Sequence, residues 1–97
     1  MELKCDSFSM KAVACGTTVQ LIFSIHDRNF YSGYATSLKV EFTNRRKHPA
    51  IASVMERDGD VILELWASAA SRDNIWRIYN LWVRQEIRFQ LAKAFAA

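Results

Sequence analysis

Hydrophobic and polar residues alternate with a period of two in two stretches of the chain. From Thr17 to His26, Val19, Leu21, Phe23 and Ile25 fall on one face, and Gln20, Ile22, Ser24 and His26 on the other. This is the pattern of a half-buried strand. From Tyr34 to Thr43, Tyr34, Thr36, Leu38, Val40 and Phe42 share one face and Ala35, Ser37, Lys39, Glu41 and Thr43 the other, which predicts a second strand with one buried and one wet side. The Asp, Asn, Ser and Gly residues between Asp27 and Gly33 read as a turn or loop. Two further apolar runs, Ala50 to Arg57 and Asp60 to Ala67, flank Asp58-Gly59. A type I′ turn needs positive φ at both central residues, and Asp-Gly meets that need, so these runs predict a hairpin. A two-residue loop opposes Arg57 to Asp60, Glu56 to Val61, Val54 to Leu63 and Ala52 to Leu65. That register gathers Ala52, Val54, Val61, Leu63 and Leu65 on the core face and leaves Ile51 and Trp66 as an apolar pair outside. The competing reading places Pro49 in the first turn of a short helix ending at Glu56.

After Ser71 the period changes to that of a helix. Ile75, Ile78, Tyr79, Trp82, Glu86 and Phe89 recur at helical spacing, with Trp76, Val83 and Ile87 widening the stripe. Ser71 is the expected N-cap, Asp73 complements the dipole of the first turn, and neither Gly nor Pro interrupts Arg72 to Ala96. The first 16 residues fit either a strand or a short helix, broken at Gly16. The expected fold is therefore α+β, one domain over 1–97. It is an antiparallel four-stranded meander, with a fifth N-terminal strand or short helix, and one long C-terminal helix packed on one face.

Composition narrows the class without adding chemistry. With 97 residues, 51% hydrophobic and 24% charged, the chain has a globular balance. Two cysteines, Cys5 and Cys15, do not make a disulfide scaffold. They read as reduced thiols, with a bridge across an N-terminal hairpin as the alternative. No basic segment followed by an apolar one opens the chain, and no apolar run approaches a membrane span, so the expected location is cytoplasmic. Neither His26 nor His48 lies at a metal-ligand spacing from a cysteine pair. Phosphate-loop, dinucleotide, zinc-protease and nucleophile-elbow motifs are missing from the sequence. His26 beside Asp27 reads as a strand end, and Asp58 and Asp60 as turn residues. The expectation is a non-enzyme without cofactor or metal.

Two surfaces remain. Arg77, Arg84 and Arg88 project within about 40° of one another on the helix, with Asn80 alongside. The connection Arg45-Arg46-Lys47-His48 makes a second basic cluster. Both suit an anionic partner, although a net charge of +3 alone implies none. The other surface is apolar and is drawn from Trp66, Trp76, Phe89, Leu91 and Phe95. A helix over residues 71–96 measures about 39 Å, longer than the roughly 32 Å diameter of a compact body of this length. Its last turns carry Leu91 and Phe95 away from the core stripe, together with Ala96 and Ala97. The expectation is a homodimer or larger assembly built on this helix. The leading functional expectation is an interaction module that docks a macromolecule as an inhibitor, adaptor or assembly subunit. In style it is similar to the small proteins of phages and mobile elements. Nucleic-acid binding through the two basic clusters is the second reading, and an enzyme or enzyme subunit the third.

Overall fold

A computed structural model describes residues 2–96. Ala97, placed above among the apolar end residues, lies outside the described residues. The fold is α+β: a five-stranded antiparallel sheet with helices on one face. The strands are β1 (Glu2–Lys4), β2 (Phe8–Cys15), β3 (Thr18–Ile25), β4 (Ile51–Arg57) and β5 (Asp60–Trp66). They lie in the order β1-β2-β3-β5-β4. The N-terminal residues thus resolve as two strands. The last hairpin is inserted so that β5, not β4, borders β3; β3 and β4 run parallel with β5 antiparallel between them.

The segment between β3 and β4 is where sequence periodicity misleads. In place of a strand over Tyr34 to Thr43, the chain forms α1 (Arg28–Phe30), a π-helical turn (Tyr31–Ala35) and α2 (Thr36–Thr43). Asp27 is its N-cap, accepting from the backbone N–H groups of Asn29 and Phe30. The buried residues are Phe30, Ala35, Leu38 and Phe42, and the last three follow three-and-four spacing. Leu38 and Phe42 satisfy both a two-residue and a helical period. Val40, which only the strand reading buries, is 66% exposed.

The Asp58-Gly59 hairpin forms as expected, with φ of 53° and 83° at its two central residues. Its register follows the two-residue loop from Arg57↔Asp60 to Ser53↔Glu64. A bulge at Ala52 then pairs Ile51, not Ala52, with Leu65. The extra residue rotates Ile51 into the core, where it is 3% exposed, and leaves Trp66 alone outside at 48%. The predicted outer pair of Ile51 and Trp66 is therefore broken by one inserted residue.

Helix α3 (Arg72–Phe95) is the longest helix, capped by Ser71 Oγ accepting from Asn74 N–H at 3.2 Å. Its buried residues are Ile75, Ile78, Tyr79, Trp82, Glu86 and Phe89, the stripe read from sequence. Trp76 and Ile87 do not widen it, being exposed. Trp82 is the centre of the core. Its indole stacks on Phe23 at 4.0 Å between ring centroids and meets Phe8 at 5.6 Å and Phe30 at 6.4 Å. One aromatic cluster thus joins β2, β3, α1 and α3.

Candidate interaction surfaces

The C-terminal half of α3 does not leave the body as a free overhang. One face stays anchored through its penultimate turn. Phe89 packs edge-on against Phe30 and Tyr34, Gln90 donates to Ser7 Oγ at 3.4 Å, and Lys93 reaches Asp27 at 3.3 Å. Burial pulls the Asp27 carboxyl upward, but bonds from Asn29, Lys93 and Phe30 outweigh it and hold it below the usual carboxylate range. Phe89 is accordingly a core residue and drops out of the apolar contact surface.

The opposite face of the same turns is bare. Ile87, Leu91 and Phe95 follow one another at four-residue spacing, 54%, 53% and 83% exposed. Projected at 100° per residue, Leu91 and Phe95 fall within about 40° of Arg77 and Arg84. The outward face of α3 is therefore one continuous ridge that changes character along its length. Arg77, Asn80, Arg84 and Arg88 are exposed toward its start and middle, and the three apolar side chains occupy its last turns. Ile87, expected on the core stripe, is exposed, and its four-residue spacing to Leu91 and Phe95 is the sequence signal of this ridge. Trp66 and Trp76 are exposed too, at the end of β5 and in the first turns of α3.

The basic residues are only partly brought together. Lys47 and Arg77 line one hollow of about 230 Å³ with His48 and Asn74, so the loop and the start of the helix ridge do meet there. Lys47 is also 3.7 Å from Glu41, which offsets part of its charge. Arg45 instead borders a smaller hollow beside Phe42 and Val54. Arg46 donates its backbone N–H to Asn44 Oδ1 and is exposed. Two cations facing one hollow can hold an anionic group, but Arg45, at a different hollow, does not join them in a single patch.

A third cluster joins Glu86, Ser7, Cys5 and Tyr79. Glu86 is 7% exposed, and its Oε1 accepts the backbone N–H of Ser7 at 2.9 Å. The Ser7 carbonyl in turn accepts from His26 and Asp27 N–H. Beside this junction, Cys5 Sγ is 3.2 Å from the Tyr79 hydroxyl. Burial first, then the Cys5 contact and the charge of Glu86, push the Tyr79 phenol up to about 12. Both cysteines are free thiols. The cluster ties the β1–β2 turn to α3 and to the end of β3.

On the sheet face away from the helices, Glu64 accepts from Ser53 Oγ at 2.8 Å and Thr18 Oγ1 at 2.9 Å, and these bonds lower its pKa. Among the described residues no group of three or more His, Cys, Asp or Glu side chains is placed to hold a metal ion. No helix among them is long and apolar enough to cross a membrane. Comparison with protein-family models, with curated proteins and with solved structures gives no match.

Proposed function

We propose that this protein is a non-catalytic docking module that presents the outward face of α3 to a protein partner and self-associates through it. The observation that carries this reading is the line of Ile87, Leu91 and Phe95, each more than half exposed, on a helix whose other face is anchored from Ile75 to Lys93. Single exposed apolar residues are ordinary, but three in register on one rigid element form a contiguous patch of the kind that partners cover. The anchoring by Phe89, Gln90 and Lys93 supports a preformed surface, so little ordering is lost on contact.

A second reading, binding of phosphate-bearing nucleic acid, rests on Lys47 and Arg77 facing one hollow. Salt separates the two. Apolar docking survives added salt, whereas phosphate contacts release counterions and weaken steeply. Sedimentation at about 100 μM protomer should give a mass above the monomer at both low and high salt, and a monomer for Leu91→Asp/Phe95→Asp. A monomeric intact chain overturns the docking reading. Binding to mixed DNA and RNA at low salt, with a salt slope that Lys47→Ala/Arg77→Ala flattens by about 2 units, establishes the second.

A further inference from the structure

Resting on that docking reading, we infer that the partner of the α3 ridge is a second copy of this chain, paired antiparallel about a two-fold axis at Leu91. Ile87, Leu91 and Phe95 are spaced symmetrically about Leu91, so an antiparallel pair centred there sets Leu91 against Leu91 and Ile87 against Phe95. This is the register that brings all three apolar positions of both copies into contact. Shifting the axis toward the helix start would lay the apolar turns on the partner's Arg77 and Arg84.

Charge selects the direction. A parallel pair would oppose Arg84 to Arg84 and Arg88 to Arg88 and align the helix dipoles side by side. In the antiparallel pair, Arg84 and Arg88 of each copy lie beside the last carbonyls of the partner's helix, where positive charge is favoured. The competing route to self-association, pairing of sheet edges, is obstructed. Edge strand β1 is three residues long and carries Glu2 and Lys4, and edge strand β4 is bulged at Ala52.

The area sets the strength. At 54%, 53% and 83% exposure, the three side chains offer roughly 350 Å² per copy, about 700 Å² for the pair. A standard interface buries about 1,600 Å², so the stems of Arg84 and Arg88 must add to the contact, and the pair belongs to the small, transient class of interface. Its contact is confined to the last three turns.

Cysteine cross-linking under mild oxidation tests the geometry, in a Cys15→Ala background that removes the exposed native thiol. Leu91→Cys alone should give a covalent dimer about tenfold or more above the background, because the pair holds the two thiols at high effective concentration. Ile87→Cys alone and Phe95→Cys alone should not. Each would sit about 12 Å from its copy along the axis, beyond the roughly 7 Å limit between Cα atoms of a disulfide. Mixing Ile87→Cys chains with Phe95→Cys chains should restore the cross-link. Self-cross-linking of all three single variants means a parallel pair and overturns the inference. A dimer by sedimentation with no cross-link at Leu91 overturns the inference but leaves docking standing. A monomeric intact chain removes both.

Discussion

Glu86 lies on the buried stripe of α3, 7% exposed. A carboxylate on the buried stripe of a helix is expensive unless it is hydrogen-bonded. It is retained here because it accepts the N–H of Ser7, in the turn between β1 and β2, where no strand partner is available. Its second oxygen has no partner. The carboxylate is thus used as an acceptor at one atom, and its charge is not paired by any cation within salt-bridge distance among the described residues. Replacing it with Ala strands a buried N–H and should destabilise the protein by about 2 kcal/mol. Glu86→Gln keeps an acceptor and should cost under about 1 kcal/mol. Urea denaturation of the two variants gives the comparison, and equal losses would mean that the bond to Ser7 contributes nothing.

Among the elements, the β4–β5 hairpin and the π-containing helical segment show opposite relations between local sequence and structure. The hairpin is specified locally. Asp58 and Gly59 both adopt positive φ, and a Cβ at Gly59 would meet nothing within 4 Å, so the demand on that glycine is one of backbone conformation alone. Gly59→Ala should therefore cost about 1 kcal/mol, read from the thermal midpoint, with no change in fold. A loss above about 3 kcal/mol would point to side-chain crowding and contradict the open surroundings. The helical segment is specified by its surroundings. Its apolar residues fit a strand nearly as well, and the π-turn at Tyr31–Ala35 shifts Phe30 and Ala35 onto the same side as Leu38 and Phe42. Tyr31 then reaches Glu56, which also receives Lys39 at 2.7 Å, locking the segment to β4. Lys39 first and Tyr31 second lower the Glu56 pKa.

At the scale of the whole molecule, α3 works as a spine with two faces. One carries Trp82 into the aromatic cluster, and the other is left for a partner. The body is elongated, 46 Å by 27 Å by 26 Å, because that spine of 24 residues spans about 36 Å. Closure between the spine and the N-terminal strands depends on Tyr79 and Cys5 as well as on Glu86, and this makes stability depend on alkaline pH. The folded state raises the Tyr79 pKa from 10.0 to about 12, favouring the neutral phenol. The resulting stability is complete below about pH 10 and is lost as pH rises through about 12, since the unfolded chain ionises first. The denaturant midpoint should fall over this window more steeply for the intact chain than for Tyr79→Phe. Parallel curves would show that the phenol near Cys5 carries no such coupling.

Features with a local physical cause are legible in the amino-acid order alone. The buried stripe of α3 was legible from spacing, its start from Ser71, the β4–β5 turn from Asp58-Gly59, and the core face of β3 from strict alternation. Each reports a period or a dihedral requirement satisfied within a few residues. The other features depend on what packs beside each segment. Leu38 and Phe42 obey two periods at once, so the choice of helix over strand fell to the core they fill and to the Asp27 cap. The bulge at Ala52 arises because Ile51 can be buried against Leu65. Phe89 and Ile87 looked alike as apolar residues near the helix stripe. They differ because Phe30 and Tyr34 lie over one of them and no described residue buries the other. Which apolar residues of a helix are core and which are contact surface is a property of the body packed beside it, and periodicity carries no information about where that body ends.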